Sequence, residues 1–211
     1  EAKFLRAFMY FTLVKAYGGV PIVDHLPNPT SEEDKIMLLT RKTAAEVYAF
    51  IESDLNDAIA ALPNKSVYSA NEKARASKGA AHALLAKVNL TLGKWQQVVD
   101  LTTSLEGMGY GLNANYSDNF STDTENSKES LFEVQYVANA GYDFWSNENQ
   151  ASWASTFTGP RSSNMVAGAY GWSQPTQEFF NSYENGDLRK DKTVLYQGGP
   201  DFEGIPYSAS Y

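Results

Sequence analysis

The 211-residue sequence contains no cysteine. This absence excludes disulfide scaffolds, thiolate metal sites and cysteine nucleophiles. The sequence also lacks an apolar run of about 18 residues, so it predicts no transmembrane helix. Basic residues are scarce, with 17 Lys and Arg against 25 Asp and Glu, for a formal net charge of -8. That balance argues against binding to nucleic acid and against electrostatic attachment to anionic lipid.

Catalytic motifs are missing as well. The two histidines, His25 and His82, are far apart in sequence and form no His-Glu-x-x-His pattern, and no P-loop, Gly-x-Ser-x-Gly or Gly-x-Gly-x-x-Gly run occurs. Four carboxylates share one loop, without EF-hand spacing: Asp118, Asp123, Glu125 and Glu129. We therefore predict a solvated loop here, and no catalytic residue, no metal, no cofactor and no enzymatic activity. A calcium site that is not an EF-hand is the alternative for this loop. Two carboxylates facing each other across a cleft remain the one catalytic alternative.

Helical periodicity dominates the first half. Residues 1–17 predict a helix that ends at Gly18, with the following apolar stripe: Leu5, Phe8, Met9, Thr12 and Leu13. A Thr43–Glu46 capping box opens a second helix, whose apolar face up to Leu62 is interrupted only by Asp54. Residues 24–42 and 64–75 are polar, and the first of these segments is also proline-rich, so we interpret both as loops.

Two further helices are predicted at 76–92 and near 95–105. The Ala-rich first helix favours a partly buried, hydrogen-bonded role for His82. The pair is similar to a tetratricopeptide (TPR) unit, with Leu92-Gly93-Lys94-Trp95 at the turn and Trp95 expected in the core. The predicted fold is mainly α, with TPR-like helical hairpins (an α-α superhelix), irregular loops and a few short strands.

The composition changes after Gly107. We predict a helical scaffold over 1–106 and a loop-rich binding region over 107–211. Alternation at Phe132, Val134 and Tyr136 indicates a short strand, and Thr193–Tyr196 a second one. A short helix is predicted from Pro175 to Gly186.

Aromatic residues concentrate in an irregular, amide-rich segment at 138–172. An aromatic face can stack on the C–H face of a pyranose, and amides can bond its hydroxyls. The predicted ligand-binding residues are these: Tyr142, Trp145, Asn147, Trp153, Tyr170 and Trp172. The structural alternative is that such rings cover a core edge, above all Trp172, which lies close to Gly171 and Pro175.

Four stretches in order resemble the SusD/RagB family. They are Glu1-Ala-Lys-Phe-Leu-Arg-Ala-Phe-Met-Tyr-Phe with Tyr17-Gly-Gly-Val-Pro-Ile-Val; Glu46-Val-Tyr with Asp54-Leu-Asn-Asp-Ala-Ile59 and Leu62-Pro63; Arg75-Ala-Ser-Lys-Gly-Ala-Ala-His-Ala-Leu-Leu-Ala-Lys87; and Pro175-Thr176 with Gly186-Asp187-Leu-Arg189. The resemblance covers nearly the whole chain. The family's signal peptide, lipid-bearing cysteine and carboxy-terminal part are not among these residues, so we expect an internal fragment of one SusD-like domain, truncated at both ends.

The resemblance implies a non-catalytic capture protein. Such proteins are tethered by lipid to the outer membrane of Bacteroidota and cover a SusC-like TonB-dependent transporter. Most bind glycans and some bind peptides, so a peptide-binding RagB-type protein is the first alternative. A TPR adaptor that binds only proteins is the second. Exposed coplanar rings would favour a sugar ligand. A cleft with free backbone groups would favour a peptide ligand, and fully buried rings would favour a protein-binding adaptor.

Overall fold

The computed structural model describes residues 1–136, 154–161, 166, 168–201 and 205–207. Within these residues the protein is mainly helical and forms no β-sheet, which confirms the predicted fold class. The α-helices of the described segments are α1 Ala2–Tyr17, α2 Glu32–Leu39, α3 Ala44–Ala61, α4 Lys78–Thr91, α5 Trp95–Glu106, α6 Ala154–Thr158, α7 Gln177–Asn181 and α8 Lys190–Thr193. None of them is long and apolar enough to cross a bilayer.

The chain divides into two compact units. Unit 1 comprises residues 1–113 and 124–133, and unit 2 comprises 114–123 and 134–211. The predicted division of one domain at residues 106 and 107 stays a prediction.

The core of unit 1 lies between four helices, because α1 packs on α3, α3 on α4, and α4 on α5. Its largest fully buried apolar side chains are Phe4, Val47, Ile51, Leu55 and Val88. Burying each such side chain stabilises the folded state by about 1.5–3 kcal/mol relative to leaving it exposed. Small residues such as Ala80 and Ala81 are also buried and let the helices approach closely.

Helix α1 forms as predicted, but its predicted buried stripe is wrong. Leu5, Met9 and Leu13 are exposed, with 62% of Met9 accessible to solvent. Of that stripe only Phe8 packs against the core. The buried residues are instead Phe4, Ala7, Tyr10, Phe11 and Val14. Apolar residues occupy more than one face of α1, so periodicity alone did not determine which face meets α3.

Asp54, the one polar interruption in the α3 stripe, is paired with Arg6 of α1. Arg6 Nε and Nη2 donate to the two carboxylate oxygens of Asp54, both at 2.7 Å. Arg6 Nη1 donates to the Asp24 carbonyl at 2.9 Å, and the guanidinium lies 4.6 Å from the centre of the Phe50 ring. A bidentate pair of this kind fixes the position of α1 against α3 as well as neutralising the buried charge.

Two helix starts illustrate what capping chemistry could predict. The Thr43 capping box is confirmed, since Thr43 Oγ1 accepts from the Glu46 backbone N–H at 3.2 Å and Glu46 Oε2 accepts from the Thr43 N–H at 2.8 Å. The loop predicted over 24–42 is wrong in part, because it contains α2. Ser31 caps α2 by accepting from the Asp34 N–H at 3.3 Å, and acidic residues fill its first turn.

The hairpin of α4 and α5 is present, but the core position predicted for Trp95 is wrong. Its side chain is 65% exposed. Helix α5 packs against the core through Leu101 instead. Trp95 and Val99 lie one turn apart on the exposed side of α5, and no residue of this helix is fully buried.

Both predicted strands are wrong. Residues 132–136 are irregular, and Phe132 packs edge-on against Phe4 and Phe8 with ring centroids 5.0 and 6.0 Å away. Residue 193 ends α8, and the buried Val194 follows it outside any strand. The predicted helix at 175–186 is confirmed only over α7, which Thr176 caps by accepting from the Phe179 N–H at 3.1 Å.

Candidate functional site

Three aromatic rings of unit 2, those of Phe157, Tyr170 and Trp172, lie together, and we call them the ring cluster. The Phe157 and Trp172 rings are 4.9 Å apart between centroids and 5° from parallel. Tyr170 lies 5.3 Å from Trp172 at 28°, and 6.0 Å from Phe157 at 30°. The three planes therefore share one orientation to within about 30°, the offset-stacked arrangement that ring quadrupoles favour.

Backbone hydrogen bonds hold the ring cluster together. Helix α6 carries Phe157, and the segment around Trp172 returns alongside it. The Tyr170 N–H donates to the Thr156 carbonyl at 2.8 Å, and the Trp172 N–H donates to the Phe157 carbonyl at 2.7 Å. Between them the Gly171 N–H donates to the Gly159 carbonyl at 2.9 Å. Gly171 has a φ of 66°, a conformation that a side chain would strain.

The ring cluster presents aromatic surface to solvent. Tyr170 is 44% exposed and Trp172 is 54% exposed, whereas Phe157 is partly buried. Arg161 lies beside the cluster, where its Nε donates to the Tyr170 carbonyl at 2.9 Å. Exposed aromatic surface next to a guanidinium group can bind a ligand that has an apolar face and polar edges.

The predicted site residues divide into two groups. Tyr170 and Trp172 come together, and their role in ligand binding stays a prediction. Outside the described residues lie Tyr142, Trp145, Asn147 and Trp153. Phe157 was not among the predicted ligand-binding residues, although it belongs to the same aromatic-rich segment. Its only signal was that location, because the pairing of 156–159 with 170–172 has no periodicity.

The two histidines have different surroundings. His25 Nδ1 lies 2.6 Å from Asp24 Oδ1 and Nε2 lies 3.2 Å from Asp34 Oδ1, and these contacts raise the pKa of His25. Burial, with a smaller effect of the Lys78 charge, lowers the pKa of His82. The hydrogen-bonded role predicted for His82 is wrong, because its buried Nδ1 has no partner in the part of the chain that the structure describes.

Several charged side chains of the described residues pair with one another. Within the described ranges, no three His, Asp or Glu side chains come together as a metal-binding group. In unit 2, Arg189 Nη2 lies 2.6 Å from Asp187 Oδ2, and this partner lowers the pKa of the Asp187 carboxyl to about 2.

Comparison with known proteins places these features in a family. Residues 1–90 match the SusD-like family described as "Starch-binding associating with outer membrane". A SusD-like protein of Formosa agariphila is 28% identical over 99% of this chain and 41% of its own length. The chain belongs to the SusD/RagB family.

Solved structures of SusD-like proteins agree with this assignment. One from Bacteroides fragilis is 32% identical, with a TM-score of 0.68 over 86% of this chain and 34% of that chain. A laminarin-binding SusD-like protein is 31% identical, with a TM-score of 0.67 over 78% of this chain and 36% of that chain. At the level of the family, the described function is carbohydrate binding in association with the outer membrane. The chain spans less than half the length of these relatives.

Proposed function

We propose that this SusD-like chain captures a nutrient glycan at the cell surface, and that the ring cluster is part of its contact surface. The observation that carries the proposal is the pair of exposed rings of Tyr170 and Trp172, which stack on each other with their planes 28° apart. A pyranose ring has a flat C–H face that suits such a surface. The protein would deliver its ligand to a TonB-dependent transporter without transforming it.

The same rings argue against the two alternatives. A protein-only TPR adaptor is favoured by fully buried loop aromatics, and Tyr170 and Trp172 are about half exposed. A peptide bound as an added strand needs free backbone groups along an edge. Here the N–H groups of residues 170, 171 and 172 already donate within the protein. Both observations support a sugar as the ligand.

The net charge of the chain and the ligand of one relative both favour a neutral glycan. A formal net charge of -8 disfavours an acidic polysaccharide. The laminarin-binding relative supports a neutral glucan as the first ligand to test. Attachment through a lipid anchor and partnership with a SusC-like transporter belong to the same proposal, supported by the family resemblance.

The test is a titration of the chain's tryptophan fluorescence with laminarihexaose, maltohexaose and a mixed peptide pool. We expect a saturable change with one of the two glucans. Trp172→Ala should weaken that binding about fivefold to thirtyfold, the effect of losing one central aromatic contact of 1–2 kcal/mol. Trp95→Ala is the matched control, because Trp95 is also an exposed tryptophan but belongs to unit 1, and its replacement should leave affinity unchanged.

The remaining outcomes each change the proposal in a defined way. A saturable response to peptides alone would replace the glycan with a peptide. Glycan binding that is unaffected in Trp172→Ala would move the contact surface away from the ring cluster. No response to any of the three ligands would contradict capture by this chain.

A further inference from the structure

A cleft of about 400 Å³ opens in unit 1 between α3, α4 and α5. Polar side chains from all three helices and the α4–α5 turn line it: Glu52, Asn56, Asn89, Lys94, Gln97 and Asp100. Its volume falls within the range of about 300–1,000 Å³ that is typical of small-ligand sites. Neither the helical pattern nor the proposed function accounts for so many polar groups at one helix junction.

Among these residues, Asn89 is unusual because it is a buried polar residue with a side-chain oxygen that is unsatisfied within the part of the chain that the structure describes. It lies on the buried face of α4 and is only 5% exposed, yet its Oδ1 has no hydrogen-bond donor among the described residues. A buried amide oxygen without a partner is destabilising, and an apolar residue would ordinarily pack at such a position. Asn89 also lines the cleft, so an asparagine here adds an amide group to the wall of the cleft.

Further donors and acceptors surround Asn89. The amides of Asn56 and Gln97 lie at the exposed edge of the cleft and make no hydrogen bond within the described part of the chain. Lys94 Nζ donates to Glu52 Oε1 across the cleft. An ammonium group has three donors, so two remain for a ligand.

Charge and apolar contacts restrict the ligand. One cation, Lys94, faces two carboxylates, Glu52 and Asp100, so the lining carries a net charge of +1 − 2 = −1. An anionic ligand is therefore disfavoured. The remaining lining residues, Leu85 and Leu101, supply a small apolar surface. A hydroxyl group both donates and accepts, which matches this mixture of amides, ammonium and carboxylates.

We propose that this cleft is a second binding site, which holds one neutral hydroxylated ring such as a single saccharide unit. The site belongs to the helical unit and is independent of the ring cluster, so it goes beyond the proposed function. Its hydrogen bonds come from side chains of α3, α4 and α5, which are rigidly placed by the core of unit 1.

The test is an NMR titration of the whole chain, following the side-chain amide signals of Asn56, Asn89 and Gln97. Methyl β-glucoside is the neutral probe and glucuronate is its anionic counterpart. We expect saturable shifts of all three amides with the glucoside and binding of glucuronate that is at least several-fold weaker. Asn56→Ala and Gln97→Ala should each weaken glucoside binding about threefold to tenfold, the effect of one lost hydrogen bond.

Three variants separate binding in the cleft from a general response of the chain to sugar. Asn71→Ala removes an exposed amide of unit 1 outside the cleft and should change nothing. Trp172→Ala, which tests the ring cluster, should leave the three amide shifts intact. Asn89→Leu should abolish glucoside binding while keeping or raising stability, because it removes the unsatisfied oxygen. The proposal is overturned if no amide shifts saturably up to about 100 mM glucoside, or if Asn56→Ala and Gln97→Ala bind as the parent chain does.

Discussion

The Asp54 carboxylate lies on the face of α3 that packs against α1, with only 2% of the residue exposed. Two charged hydrogen bonds from Arg6 compensate for its burial. Removing one partner of such a pair lowers the free energy of unfolding by more than the intact pair contributes to it, because the remaining charge is left buried without a partner. The stability of the α1–α3 contact therefore depends on Arg6.

We predict that Arg6→Ala lowers the free energy of unfolding by about 3 kcal/mol, at the lower end of the range for broken buried pairs because Arg6 itself is partly exposed. Arg75→Ala is the matched control. Arg75 pairs with Glu1 and Glu72 at the surface, and its loss should cost no more than about 1 kcal/mol. Urea unfolding monitored by circular dichroism measures both. Equal losses in the two variants would contradict the role given to Asp54.

At the scale of single residues, the sequence showed that Asp54 interrupts an apolar stripe but not what pairs with it. Arg6 is 48 positions away, and no periodic pattern links the two. Trp95 shows the same limit. The TPR-like turn predicted its helix correctly, but the packing of α5 through Leu101 leaves the tryptophan exposed.

Helix α1 is the element in which an apolar pattern was most ambiguous. Its buried face carries Phe4, which is 1% exposed, whereas the apolar stripe that contains Met9 faces solvent.

We predict that Phe4→Ala lowers the free energy of unfolding by about 3–5 kcal/mol, because burial of the ring is lost and a cavity forms next to Phe132. Met9→Ala should change stability by less than about 0.5 kcal/mol. Thermal and urea unfolding of the two variants provide the measurement, and a larger loss for Met9→Ala would reverse the assignment of faces.

Elements with strong end signals could be predicted from sequence. The capping box at Thr43 and the break at Gly18 bound their helices as expected. Helix α2 also begins with a side-chain cap, in which Ser31 accepts from the Asp34 N–H. This helix was not predicted because it is short and lies in a proline-rich segment. Alternation at 132–136 suggested a strand, but Phe132 is fixed by rings of α1 rather than by a neighbouring strand.

Only part of the candidate site could be predicted from the sequence. Composition alone pointed to Tyr170 and Trp172. Phe157 joins them only because backbone hydrogen bonds align two separate segments. Contacts of that kind depend on tertiary structure, which local patterns do not encode.

For the molecule as a whole, the acidic surface should set how stability varies with pH. In the part of the chain that the structure describes, hydrogen bonds and nearby cations lower the pKa of these carboxyl groups: Glu1, Asp24, Asp34, Glu46, Glu72 and Asp187. Groups with lowered pKa values stabilise the fold above their ordinary values, near 4. That contribution is lost as the pH falls through the lower values of the folded state. His25, with a raised pKa, stabilises the fold below its ordinary value of 6.5, and its contribution is lost as the pH rises through its folded-state pKa.

We therefore predict that the melting temperature falls as the pH is lowered from about 5 towards 2, with a smaller fall above about pH 6.5. Differential scanning calorimetry across this pH range measures both. Asp187→Asn should remove the part of the acid transition that extends down to about pH 2, the pKa of that carboxyl. His25→Gln should flatten the change above pH 6.5. A melting temperature that stays constant or rises as the pH is lowered from about 5 towards 2 would contradict the prediction.

The order of helix contacts in unit 1 has a consequence for how the protein folds. Leaving out the short α2, each main helix packs on the next one along the chain, from α1 to α3, α4 and α5. Contacts that are close in sequence lose little chain entropy when they form, and helical proteins of this kind fold quickly. The Arg6–Asp54 pair closes as α3 docks on α1. We therefore expect unit 1 to fold faster than a protein of the same size whose contacts join more distant parts of the chain.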